Sequence, residues 1–259
     1  MLEGKHILLT GVRNKRSISF AVLQELLDRG AEVLLTSPEV DRTRRTLKRL
    51  DESPEVVKLD VTNPQTIKST KEFLDSRWKG NLDGLVHSIA YADRSCIDSN
   101  FFEASEEEIV RSFKISSLSL MTLAQEFAPL LSPGGGSIVA MSFDTDKIMP
   151  HYGWMNFFKQ ALEYFARMAA LNLGKEGIRV NCISAGTIKS SSARGIPGFN
   201  KMAKRFEQIS PLGWDTKDSR QQVAKVCSCL LSDATEMVTG ETIHVDGGFH
   251  LRSGLDAAE

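Results

Sequence analysis

The stretch His6-Ile7-Leu8-Leu9-Thr10-Gly11-Val12-Arg13-Asn14-Lys15-Arg16-Ser17-Ile18 decides the fold. Its first five residues form a short, β-branched and leucine-rich run that stops at Gly11. Apolar residues then recur at helical spacing over 18–27, so the segment reads as strand, loop and helix. After Gly30 a second apolar run at 31–36 leads into a charged helical stretch around 41–51, which completes a βαβ unit. The alternation continues with strands at 55–59, 82–88, 137–141, 178–183 and 242–245, and helices at 64–78, 105–131, 150–174 and 219–231. Strands joined by helical crossovers pair in parallel, and strands without strict polar alternation are buried on both faces. The expectation is an α/β fold: a single Rossmann-type doubly wound parallel sheet of about seven strands with helices on both faces, in one domain over 1–259. The pattern is weakest over 186–214, where Ser190-Ser191-Ser192, Gly195, Pro197, Gly198 and Pro211 interrupt it and only 201–209 suggests a short helix. That segment reads as a substrate lid, because ligands of such sheets bind beyond the carboxyl ends of the strands.

Composition narrows the class further. Of 259 residues, 41% are hydrophobic and 25% charged, values of an ordinary globular chain, so disordered and collagen-like readings fall away. With 32 Lys plus Arg against 33 Asp plus Glu, the chain lacks the basic footprint that nucleic acid binding requires. No apolar run approaches the roughly 18 residues of a membrane helix, and the first residues do not read as a signal peptide, so a cytoplasmic protein is expected. Cys96, Cys182, Cys227 and Cys229 form no CxxC pair and read as reduced, packed thiols. The five histidines make neither HExxH nor a Cys/His cluster, and no metal site is expected.

Where a dinucleotide-binding turn would carry GxGxxG, only Gly11 is present. Gly11 still permits the tight turn. Ser17 can present its hydroxyl and the following amides to a pyrophosphate at the positive end of a helix dipole, or simply cap the helix. Asp60-Val61 and Ser88-Ile89-Ala90 follow the third and fourth strands, on the same edge as Gly11. Asp60 suits either an adenine amino group or a helix cap. Past the second strand, Thr36-Ser37-Pro38-Glu39 offers an acid and no adjacent base, which favours NADH over NADPH despite Arg42, Arg44 and Arg45 nearby. None of the three tyrosines has a lysine four residues on, but Tyr152 has Lys159 seven on. On a helix, seven steps fall within roughly 20° of whole turns, so the two would share a face about 10 Å apart. The lysine stem would lean back toward Tyr152 and reach a cofactor ribose between them. The same spacing also suits a surface lysine and a tyrosine at the edge of the core.

Taken together, the chain resembles the enoyl-acyl-carrier-protein reductases of the short-chain dehydrogenase superfamily over nearly its whole length. The marks are Gly11 with Ser17-Ile18, Asp60-Val61, His87-Ser88-Ile89-Ala90, Tyr152-x6-Lys159 followed by Ala161-Leu162-Glu163, Arg179-Val180-Asn181, Ser184-Ala185-Gly186, and Thr239-Gly240-Glu241 with Val245-Asp246-Gly247-Gly248. Phe143-Asp144, Met149-Pro150, Tyr152 and Trp154-Met155 are most similar to the mycobacterial long-chain type, whereas the short segment from Gly195 to Met202 is closer to the common bacterial form.

The resemblance implies hydride transfer from NADH to a trans-2-enoyl thioester carried by acyl carrier protein, in a homotetramer. Tyr152 would donate a hydrogen bond to the thioester oxygen and Lys159 would hold the nicotinamide ribose. Gly11, Ser17, Ile18, Asp60, Val61, Ser88, Ile89, Ala90, Ile115 and Ile188 would line the cofactor, with Ala92, Phe143 and Met155 beside the acyl chain. For Met155 and Ile115, plain core packing is the competing reading. The superfamily's usual Tyr-x-x-x-Lys is absent, Phe143 stands where the common bacterial form has a second tyrosine, and Thr187 replaces the family's proline. The alternatives are a nucleotide-binding homologue with a regulatory role, or a reductase of another carbonyl-conjugated substrate.

Overall fold

The computed structural model describes residues 2–252, apart from 49, 51, 52, 98, 99, 132–134, 150, 151, 191, 192, 194, 195 and 197. Seven strands form one parallel sheet in the order β3-β2-β1-β4-β5-β6-β7. They are β1 (His6–Thr10), β2 (Glu32–Ser37), β3 (Val56–Lys58), β4 (Gly84–His87), β5 (Ser137–Ser142), β6 (Arg179–Ala185) and β7 (Thr242–Val245). The chain winds outward from β1 to β3, then crosses back to β4 on the other side of β1. That reversal opens a crevice beyond the carboxyl ends of β1 and β4.

The helices are α1 (Ile18–Asp28), α2 (Val40–Leu47), α3 (Pro64–Trp78), α4 (Arg94–Ile97), α5 (Glu106–Phe113), α6 (Ser119–Phe127), α7 (Met155–Leu173), α8 (Phe199–Ile209) and α9 (Arg220–Leu231). Because strand side chains alternate faces, Ile7 and Leu9 pack with Phe20, Leu23 and Leu26 of α1 and Val223, Cys227 and Leu230 of α9. Leu8, between them, packs on the opposite face with Leu74 of α3, Leu120 and Phe127 of α6 and Leu162 of α7. Each of these fully buried leucines and phenylalanines stabilises the fold by about 1.5–3 kcal/mol relative to exposure. Cys96, Cys182 and Cys227 are buried free thiols, and Cys229 is half-buried.

Local chemistry sets the helix starts. Asn63 caps α3 by accepting from the Gln65 amide, with Pro64 at the first helical position where its missing N–H is harmless. Ser105 and Glu108 form a capping box at α5.

Two expected helices come out differently. The run over 105–131 is not one helix: α5 gives way to a π-turn at Lys114–Leu118 before α6, and a 3-10 turn follows at Ala128–Leu130. Serine hydroxyls explain the break. Ser116 Oγ donates to the Tyr91 carbonyl (2.5 Å) and Ser117 Oγ to the Phe158 carbonyl (2.7 Å), so tertiary partners set the local geometry. The helix expected over 150–174 begins only at Met155, and Pro150 lies outside the described residues. Gly153 has φ +47, Asn156 bonds back to Met149 and Gly153, and the Trp154 amide donates to the Cys96 carbonyl (2.8 Å). Tyr152 therefore sits on a tertiary-fixed turn and not on the helix face. The four-residue α4 had no periodic signal to announce it.

Candidate active site

The Gly11 turn exists because two strand ends nearly touch. Gly11 has φ +80, and a Cβ there would stand 1.9 Å from the Ser88 carbonyl oxygen. Thr10 Oγ1 ties the same ends together, donating to the Val86 carbonyl (2.9 Å) and accepting from the Ser88 amide (3.0 Å). Ser17 caps α1: its Oγ accepts from the Phe20 amide (3.2 Å) and donates to the Asn14 carbonyl (2.7 Å). Its one proton is thus engaged, and the donors left for an anion are the amides of Ile18 and Ser19, which have no acceptor among the described residues. Asp60 closes its own turn, accepting from the amide and hydroxyl of Thr62 (2.9 and 2.7 Å), while Asn63 caps α3.

These residues open onto one cleft of about 780 Å³ at the carboxyl edge of the sheet. Its walls include Gly11, Ser17, Ile18, Asp60, Val61, Ser88, Ile89, Ala90, Ile115, Lys159 and Ile188 at the expected cofactor side. Tyr152, Ala92, Phe143 and Met155 stand there as well. Every residue assigned from the sequence to the cofactor or the acyl chain therefore lines one cleft. A larger surface groove between α3, α5 and α6 holds charged helix side chains such as Lys68, Glu72 and Arg111, and neither Tyr152 nor Lys159 reaches it.

Glu39 and Arg42, weighed in the sequence for cofactor choice, line the cleft, and so does Arg13, for which sequence reasoning gave no role. Glu39 is ion-paired with Arg42 (3.1 Å). The short helix expected over 201–209 is α8, but its Phe199 and Phe206 were not recognised as cleft walls. That helix starts two residues before the expected short one. Ser191, Ser192, Gly195 and Pro197 of the expected lid lie outside the described residues.

Thr187, in place of a proline, is accommodated: its carbonyl accepts from Trp214 Nε1 (2.7 Å), and Gly186 leaves room for the Trp214 ring. The fold also brings Asp144, Asp146 and His244 together with ligand atoms within 4.8 Å, a grouping no sequence spacing announced.

Of the two candidate reactive groups, Lys159 is buried and Tyr152 half-buried. The Tyr152 ring meets Phe143 edge-on (centroids 4.8 Å apart), and its hydroxyl makes no hydrogen bond among the described residues. Burial pushes this phenol up to about 12, so it remains a neutral donor. Lys159 donates to the Met141 carbonyl (2.7 Å), leaving two of its three protons for a ligand. Burial lowers its pKa to about 8, opposed by neighbouring Cys182 and Glu163. The Cys182 thiol is itself pushed up to about 12 by burial and is neutral below that, so Glu163 supplies the negative charge.

Behind the lysine, at the end of β4, lies His87. Ser119 Oγ donates its single proton to the Ile115 carbonyl (2.6 Å), so His87 Nε2 is the donor to Ser119 (2.8 Å). His87 Nδ1 is then a bare, buried nitrogen without a partner among the described residues. Burial first, then the Lys159 charge, holds its pKa down to about 3.

A doubly wound parallel sheet with an amide-lined turn, a free phenol and a buried ammonium in its crevice defines a nucleotide-binding domain equipped for acid–base chemistry. The model of the family described as enoyl-(acyl carrier protein) reductase matches residues 11–250. The chain is 36% identical over 254 residues to the enoyl-acyl-carrier-protein reductase (NADH) FabI of Aquifex aeolicus, covering 97% of this chain and 93% of that one. It is 36% identical over 262 residues to the enoyl-acyl-carrier-protein reductase (NADH) of Mycolicibacterium smegmatis, covering 96% and 97%. Similarity to the enoyl-acyl-carrier-protein reductase (NADPH) FabI of Staphylococcus aureus is 39% over 255 residues, covering 96% and 98%. The chain belongs to the enoyl-(acyl carrier protein) reductase family of the short-chain dehydrogenase/reductases.

Proposed function

We propose that this protein reduces the trans-2 double bond of enoyl thioesters presented by acyl carrier protein, using NADH, in cytoplasmic fatty-acid elongation. The observation that carries the reading is the unpartnered, neutral Tyr152 hydroxyl in the same cleft as the buried Lys159 ammonium. A nicotinamide held in this cleft would supply the hydride that reduces the double bond at the β-carbon. Tyr152 donates its hydrogen bond to the thioester oxygen, where negative charge develops as the double bond is reduced. A neutral phenol in a desolvated pocket stabilises that charge more than it stabilises the ground state. Phe143 has no proton to give, so Tyr152 works alone, and the α-carbon proton then comes from solvent at the cleft mouth. Lys159 holds the ribose hydroxyls with its two remaining protons, while the amides of Ile18 and Ser19 fit the pyrophosphate. Ala92, Phe143 and Met155 form the apolar wall for the acyl chain, and α8, within the expected lid segment, faces it with Phe199 and Phe206.

The reading is tested by following NADH consumption with short and long enoyl thioesters. Turnover supports it. Nucleotide binding with no turnover of any enoyl thioester would instead favour a regulatory homologue.

Glu39, lining the cleft beyond β2, favours a free 2′-hydroxyl over a 2′-phosphate. We expect kcat/KM to be higher with NADH than with NADPH, and Glu39→Gln to narrow that ratio by releasing Arg42 from its ion pair. An unchanged ratio in the variant would remove Glu39 from cofactor choice.

The outward side of α7 exposes Phe157, Tyr164, Met168 and Leu171, spaced as one stripe, which suits burial against a second copy in a homotetramer. Sedimentation should give four times the chain mass, with Leu171→Glu dissociating it. A monomer in the wild type rejects the assembly.

A further inference from the structure

Two charged side chains one turn apart on α7 grip the same strand exit. Lys159 Nζ holds the Met141 carbonyl (2.7 Å), while Glu163 accepts from Ser142 Oγ (2.5 Å) and Thr145 Oγ1 (2.8 Å). Residues 141–145 are therefore pinned at three points. Between the pins lies Phe143, the residue whose ring meets Tyr152.

Glu163 is only 8% exposed, and two neutral hydroxyls are its hydrogen-bond donors among the described residues. Burying a carboxylate against neutral donors is costly, and a glutamine could accept from a hydroxyl with a smaller desolvation penalty. The charge therefore needs a reason, and the groups around it supply one. On α7 it is flanked by Lys159 and Arg167, with His244 facing it from β7. Asp144 in the strand exit takes the Asp146 amide (3.1 Å) and lies 4.0 Å from His244. Cys182 of β6 and His87 of β4 approach Lys159 but are neutral at pH 7, one held high and the other low by burial.

We infer that Glu163 is a positioning residue: its carboxylate fixes the strand exit that sets Phe143 against Tyr152, and it keeps the Lys159 ammonium charged for the cofactor ribose. Only the kinetic part of this inference rests on the reductase reading.

The test uses cofactor-free protein labelled with 13Cε-lysine, the Lys159 signal being the one lost in Lys159→Met. In Glu163→Gln, removing the adjacent anion should lower the proton affinity of Lys159 by about tenfold or more, and Glu163→Asp should restore most of it. In turnover, the basic limb of the kcat/KM profile should move to lower pH in the same variant. An unshifted Lys159 titration in Glu163→Gln overturns the inference, whatever the turnover does. If that variant does not fold, Ser142→Ala/Thr145→Val removes the grip and, with it, the two hydrogen bonds that hold the Glu163 carboxyl down against burial. It should raise KM for the enoyl thioester severalfold and lower the proton affinity of Lys159 in the same direction as Glu163→Gln. An unmoved KM with an unshifted lysine there overturns the inference equally. Silence of the wild type toward every enoyl thioester defeats the reductase reading and leaves the lysine titration decisive.

Discussion

Replacing Tyr152 with phenylalanine should lower kcat about 10²–10³-fold, the usual loss when one donor to a developing oxyanion is removed. KM should change little, because the hydrogen bond strengthens only as charge builds on the thioester oxygen. The substitution is nearly isosteric, and the ring's contact with Phe143 survives it. No hydrogen bond of the Tyr152 hydroxyl to another described residue is lost, so stability should hold and the defect should be chemical. Comparing steady-state turnover with thermal unfolding of the same sample separates the two. A variant that kept most of the wild-type kcat would take Tyr152 out of the reaction, and Phe143 offers no hydroxyl to replace it.

The second large effect concerns acid. Burial and the nearby Lys159 charge hold His87 neutral down to about pH 3, whereas in the unfolded chain it titrates near 6.5. Its folded pKa is thus depressed, and below 6.5 the unfolded state binds a proton that the native state refuses. The stability this gives is complete above pH 6.5 and is lost as pH falls toward 3, at about 1.4 kcal/mol per pH unit once the unfolded histidine is protonated. Glu163, raised by burial, acts in the opposite sense, so the comparison with a variant matters. Urea unfolding between pH 7 and 4.5 should show His87→Gln less stable than wild type at neutral pH but with a shallower acid dependence. Equal slopes would mean that His87 can charge in place.

Much of this was legible in the sequence because it is local. Strand runs that end in Gly or in a capping residue, and helices that start at Asn63-Pro64 or Ser105-x-x-Glu108, announce themselves through backbone chemistry within a few residues. The alternation of such elements leaves few topologies once crossovers must be right-handed, and a switch point then brings the ends of β1, β3 and β4 to one edge. Gly11, Asp60 and Ser88 were therefore placed correctly without any knowledge of their contacts.

Tyr152 and Lys159 line one cleft, but not because they share a helix face. The expected helix starts only at Met155, three residues after Tyr152, whose place depends on the Gly153 turn, the Asn156 bonds and the Trp154 amide reaching Cys96. Neither the serine-driven break between α5 and α6 nor the Glu163 grip on 142–145 has a periodic signature. Each depends on a hydroxyl choosing between its own helix and a partner far away in the chain. The sequence by itself determined the class of fold and the sheet edge at which the candidate side chains gather, since propensity, capping and crossover handedness act locally. Only the tertiary structure decided the charge states of Tyr152, Lys159 and His87 and the turn that aims the tyrosine. Desolvation and long-range hydrogen bonds come into being only when distant segments pack.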